Sequence, residues 1–136
     1  MIAQHFTELI AWQLADELRR EVIAFTSKPP CSKEFKFCAQ IRAAADSVCF
    51  NTAEGFGRFR PKEFERFLGF AKGSLEEVQD GLVSAKRKGY LTDPEFQRIW
   101  RLTRRAIPAN ARLQTYLRTK GRFGPITNKR RGNPNR

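Results

Sequence analysis

"PKEFERFLGFAKGSLEEVQDGLVSAKRKG", Pro61 to Gly89, carries an apolar residue at every third or fourth position. Phe64, Leu68, Ala71, Leu75, Val78, Leu82 and Ala85 alternate steps of four and three. The run is therefore a helix with one continuous seam over about three heptads. Pro61 suits the first turn, where no backbone N–H is needed, and Glu63 and Glu65 complement the positive N-terminus. Lys86, Arg87 and Lys88 favour the opposite end, and Gly89 caps it. Such a seam needs other helices to bury it.

Those helices lie on either side. Thr7 to Thr26 carries Leu9, Trp12, Leu18, Val22 and Phe25 at helical spacing and stops at "SKPPC", where two prolines forbid continuation. Ser32 is placed to cap a second helix, with Cys38, Ile41, Ala45, Val48 and Thr52 on one stripe and an end near Gly57. In "LTDPEF", Asp93 caps and Pro94 begins a fourth helix, striped by Phe96, Ile99, Thr103, Ala106, Asn110, Leu113 and Leu117. Pro108 sits inside it and is expected to kink or split it. No strand-like alternation competes. Helices of roughly 20–28 residues joined by short loops pack as antiparallel neighbours, so the fold is all-α, an up-and-down four-helix bundle over residues 1–120. From Gly121 to Arg136 the pattern ends; five cations and no acid make a flexible basic tail.

The joint between the second and third helices, "NTAEGFGRFRPKEF" from Asn51 to Phe64, holds two close glycines and a cluster of cations. A phosphate-cradling loop follows a strand; here a helix precedes the glycines, so the stretch reads as a helix–turn–helix joint. Gly55 allows a neighbouring backbone to approach, Gly57 ends the helix in a left-handed conformation, and Glu54 and Arg58 stand at the i,i+4 spacing of an ion pair.

Twenty-six Lys and Arg against fourteen Asp and Glu give the 136-residue chain a net charge of +12. Polyanions are attracted, nucleic acid first. Arg98, Arg101, Arg105 and Arg112 fall within about 60° of arc on the fourth helix, away from its apolar stripe. Arg58, Arg60, Lys62 and Arg66 cluster at the joint with Phe56 and Phe59, which could stack on unpaired bases. Lys129, Arg130 and Arg131 in the tail add unselective phosphate contacts. Against each stands a plainer reading: a solvated face, a capped turn, a basic end.

Catalysis is not expected. His5 is the single histidine, no Glu-x-x-His pair exists, and Cys38 lies on a core stripe. Paired-cysteine spacing is absent, so neither a metal nor another cofactor is implied. Cys38 and Cys49 would lie roughly 16 Å apart on one helix and cannot bond, and Cys31 has no obvious partner. Reduced thiols, the absence of a signal peptide in "MIAQHFTELIAW" and the absence of a spanning apolar run point to a cytoplasmic protein that does not enter membranes.

"NTAEGFGR" followed by "KEFERFLGFAKGSLEE" and "GYL", with the opening "FTELIAW", resembles the family called four helix bundle proteins. It includes proteins encoded in 23S rRNA intervening sequences and the accessory variability determinants of diversity-generating retroelements. The family pattern falls on Asn51, Ala53, Glu54, Gly55, Gly57, Arg58, Glu63, Phe64, Leu68, Ala71, Gly73, Ser74, Leu75 and Glu77. Before Asn51 this chain has Val48, Cys49 and Phe50 where the family usually has Ile-Pro-Ala. The resemblance implies an antiparallel bundle assembled into a ring, typically a homopentamer, without catalytic activity. In the retroelement branch it implies binding to a reverse transcriptase and to nucleic acid, DNA or RNA. The combined expectation is a non-catalytic accessory protein that binds nucleic acid or a ribonucleoprotein partner. The alternative is an oligomeric scaffold that recruits a protein and touches nucleic acid only incidentally.

Overall fold

A computed structural model describes residues 3–58 and 60–120. It contains four α-helices: α1 (Ile10–Thr26), α2 (Phe35–Phe56), α3 (Pro61–Arg87) and α4 (Asp93–Lys120), with short 3₁₀ turns at Phe6–Glu8 and Cys31–Lys33. No strand occurs among the described residues. The basic tail, with Lys129, Arg130 and Arg131, and Phe59 lie outside them.

Each helix packs on its sequence neighbours, and α4 closes on α1. The cross-links fix antiparallel registers. Ser74 Oγ meets Ser47 Oγ at 2.7 Å between α3 and α2, while Gln79 Nε2 donates to Thr103 Oγ1 at 2.8 Å and Asn110 Nδ2 to the Leu68 carbonyl at 2.9 Å between α3 and α4. The heptad seam is spent inside the chain, with Leu68, Ala71, Val78, Leu82 and Ala85 fully buried. Dehydrating this seam is the main stabilising term. Any contact between protomers must use other residues.

The ends of the helices show what local chemistry decides. At the α3–α4 turn Gly89 has φ +79, and Tyr90 N–H donates to the Ala85 carbonyl at 2.8 Å, closing a Schellman motif as the sequence predicts. Gly57 differs: at φ −74 and ψ −12 it is right-handed, so α2 ends without a left-handed residue. Ser32 is not the cap of α2, because it lies within the 3₁₀ turn and the helix begins only at Phe35. Asp93 is not the cap of α4 either. Thr92 Oγ1 accepts from Glu95 N–H at 3.2 Å, and the Glu95 carboxylate accepts from Thr92 N–H at 2.8 Å, a capping box one residue earlier. That bond holds Glu95 below the usual carboxylate range. α4 runs as one helix through Pro108, which is exposed; the proline removes a bond to the Arg104 carbonyl on the solvent side without dividing the helix.

At the end of the bundle holding the α3–α4 turn, Glu34 just before α2 receives Lys88 Nζ at 2.7 Å and the Tyr90 hydroxyl. Lys88 and then Tyr90 hold the Glu34 carboxyl below its ordinary range, and the bond to Glu34 pushes the Tyr90 phenol from 10.0 up to about 12. A raised folded-state value means stability fully present below pH 10.0 and lost as pH rises through about 12. Melting curves are expected to show Tyr90→Phe less stable than wild type at pH 8, with the gap narrowing between pH 10.0 and about 12. A gap independent of pH would contradict the Tyr90–Glu34 bond.

Candidate nucleic-acid interface

Burial of Ile99, Leu102, Thr103, Ala106, Ala109, Asn110, Leu113 and Leu117 fixes the inward face of α4. At ~100° per residue the opposite face carries Arg101, Arg104, Arg105 and Arg112. All four are exposed, and no ion pair engages any of them among the described residues. From Arg101 to Arg112 the stripe is about 16 Å long. Sequence reasoning missed Arg104, although its place three residues after Arg101 was the available signal.

Arg98 does not belong to the free set. Its Nη2 reaches Glu21 Oε1 on α1 at 3.0 Å, and this partner raises its pKa. On the other flank, Arg118 Nε meets Glu65 Oε2 of α3 at 2.6 Å. The edges of α4 are thus tied to its two neighbours, while the central arginines make no ion pair among the described residues.

The joint divides in the same way. Arg58 Nη2 meets Glu54 Oε2 at 2.9 Å, the expected ion pair, and Nη1 meets Glu63 Oε1 at 3.3 Å. Its guanidinium also lies 4.8 Å from the Phe67 ring centroid. With two carboxylates and a ring around it, Arg58 is a fastener of the turn and not a free phosphate ligand. Arg60 and Lys62 are exposed and unpaired among the described residues. The Arg66 guanidinium lies over Phe70 at 5.2 Å and Phe67 at 5.8 Å, with no carboxylate partner among the described residues. Phe56 cannot stack on a base: it is fully buried, edge-to-face with Phe64 at 6.1 Å.

Several family-pattern residues have structural roles, but Gly73 and the exposed Glu77 do not. Asn51 Nδ2 donates to the Ser47 carbonyl and to Ser47 Oγ, both at 2.9 Å, and so orients the hydroxyl that meets Ser74. A Cβ on Gly55 would stand 2.7 Å from Phe64 Cδ1 and 2.9 Å from Phe67 Cβ, so glycine is required for that approach. A Cβ on Gly73 would meet nothing within 4 Å. Gly73 lines a groove of about 830 Å³ between α2 and α3, whose charged rim is Glu34, Glu76, Glu77 and Asp80 with Lys36 and Lys88. Glu76, Glu77 and Asp80 leave a small excess of acid on this side, since Lys88 is already paired with Glu34.

Other chemistries find little here. No group of three His, Cys, Asp or Glu side chains among the described residues could hold a metal ion. His5 Nδ1 caps the first 3₁₀ turn, accepting from Thr7 N–H at 3.4 Å. All three cysteines are buried thiols, and burial pushes Cys31 and Cys49 up to about 12. No helix among the described residues is long and apolar enough to cross a membrane.

A search of curated proteins returns no match to this chain. A family model does match. The one for the 23S rRNA-intervening sequence protein covers residues 7–108, about three quarters of the chain and most of the four helices. With four α-helices, no strand among the described residues and that match, the chain belongs to the 23S rRNA-intervening sequence protein family.

Proposed function

We propose that this protein is a non-catalytic accessory subunit of a ribonucleoprotein that holds RNA phosphates on the outward face of α4. One observation carries the reading: Arg101, Arg104, Arg105 and Arg112 are exposed and unpaired on a bundle whose neighbouring cations Arg58, Arg98 and Arg118 are all neutralised locally. Guanidinium groups in a row suit a phosphate backbone, which positions a nucleic acid without specifying its sequence. The α2–α3 groove, with Glu76, Glu77 and Asp80 against Lys36, offers the same strand less attraction than the α4 face. Arg60, Lys62 and Arg66 extend the cationic surface at the end where α4 terminates. In the retroelement setting the protein partner would be a reverse transcriptase.

Self-association belongs to this reading, because several copies of a weak phosphate site gain avidity in one ring. Phe50 and Phe70 are 63% and 47% exposed. Both lie one turn from the Ser47–Ser74 contact, towards the joint, on a face with no internal partner helix. A second reading, the protein-binding scaffold, draws on these rings and the α2–α3 groove.

Light scattering is expected to give a mass near five protomers, and one protomer at micromolar concentration would remove the avidity. The comparison that separates the readings is a chain truncated after Lys120. Its RNA affinity and salt dependence are expected to fall, while any preference between RNA and single-stranded DNA survives in the ordered α4 face. Complete loss of binding on truncation, with no effect of substitutions on α4, would favour the scaffold.

A further inference from the structure

The sequence leaves Cys31 without an obvious partner, yet the structure gives it one. α2 begins after a 3₁₀ turn, and that late start folds Cys31 back over the first turn of the helix. Cys31 Sγ lies 3.9 Å from Cys38 Sγ, in van der Waals contact. The Cys38 thiol is also 3.2 Å from the Cys31 carbonyl and 3.5 Å from the Thr26 carbonyl, both acceptors. Cys49 stands apart, eleven residues further along α2, roughly 16 Å away by helical rise. The chain thus holds one touching pair of thiols and one isolated thiol.

We propose that Cys31 and Cys38 are a redox-modification site, closing to an intrachain disulfide when the protein meets a peroxide. Cys38, 8% exposed against 1% for Cys31, is the thiol a small oxidant reaches first. Its sulfur attacks the peroxide and breaks the O–O bond, giving a Cys38 sulfenic acid and one water. Cys31 sulfur then displaces the hydroxyl from Cys38 sulfur, and a second water leaves. Two thiols and one hydrogen peroxide become one disulfide and two waters. The sulfurs must approach by about 1.9 Å to reach bonding distance, a movement within the reach of side-chain rotation. Burial, which holds the Cys31 thiol at about 12, makes the second step slow at neutral pH and faster in mild alkali.

The cross-link would fasten the 3₁₀ turn to α2 beside Glu34, which Lys88 and Tyr90 already hold. It therefore tightens the end of the bundle that holds the α3–α4 turn and leaves the α4 arginines untouched. Reduction by a dithiol reverses it.

Tryptic mapping of the folded, full-length protein after hydrogen peroxide treatment tests this. Lys33 and Lys36 separate the two cysteines, and Arg42 separates both from Cys49. The wild type and Cys49→Ser are expected to yield the Glu21–Lys33 fragment joined to Phe37–Arg42, two hydrogens lighter than the sum of the separate thiol fragments. Dithiothreitol should release the link, and the oxidised protein should melt several degrees higher. Cys31→Ser and Cys38→Ser should give no such link. If the wild type remains folded, by circular dichroism, with all three thiols free to alkylation, the proposal fails. It fails equally if Cys49 supplies the link or if the link appears only after ellipticity is lost.

Discussion

Gly55→Leu is expected to lower the melting temperature by about 10 °C, the largest effect of any single substitution at the helical joints. The position meets α3 so closely that even a Cβ would stand 2.7 Å from Phe64 Cδ1, 2.9 Å from Phe67 Cβ and 3.2 Å from the Phe64 carbonyl oxygen. Two of those atoms belong to a Cβ and the backbone, so no rotamer change relieves the overlap. α2 and α3 must separate, and the seam residue Phe64 must leave its site. Overpacking of this kind costs about 1–3 kcal/mol, and leucine belongs at the upper end. Gly73→Ala supplies the opposite expectation. A Cβ there meets nothing, so a mid-helix glycine is exchanged for a better helix former and stability should rise by about 0.5–1 kcal/mol. Thermal denaturation of both variants decides: equal melting temperatures for Gly55→Leu and wild type would show that α2 and α3 do not approach there.

Joint replacement of Arg101 and Arg105 by Glu is the second large effect. Both side chains are exposed and unpaired, so melting temperature should change little. Binding to single-stranded RNA should weaken about 30-fold or more near 0.1 M salt, since two attractions become two repulsions in every protomer. Arg98→Gln should act differently, because it removes a partner of Glu21 and touches the helix packing instead of the phosphate face. Filter binding and melting curves on the same preparations separate the two. Full RNA affinity in the charge-reversed protein would take α4 out of the account.

The parts of this fold legible in the sequence are those set by periodicity and local chemistry. The α3 seam, the α2 stripe through Cys38, Ile41, Ala45, Val48 and Thr52, the Gly89 turn and the Glu54–Arg58 pair all follow from spacing along one helix. What sequence could not supply were partners from other elements. Arg98 looks like its neighbours on a helical wheel, yet Glu21, 77 residues earlier, neutralises it. Arg58 gains a second carboxylate from Glu63 across the turn. Phe56 has the composition of a stacking residue, but the angle at which α3 returns buries its ring. The boundary shift at α2 moved Ser32 out of the cap position and brought Cys31 against Cys38. Gly73 shares a family pattern with Gly55, and only the packing of α2 on α3 shows that one is filled against and the other open.

Counterion release is the property that reports whether the unpaired α4 arginines hold phosphates. Each phosphate neutralised on a single strand contributes about −0.7 to the slope of log K against log salt concentration. Single-stranded RNA titrated from low to moderate salt should therefore lose a slope of about 3 when Arg101, Arg104, Arg105 and Arg112 are all replaced by Ala. Affinity should fall in parallel, with the fold and the oligomeric mass intact. An unchanged slope and an unchanged affinity in that fourfold variant would contradict the account.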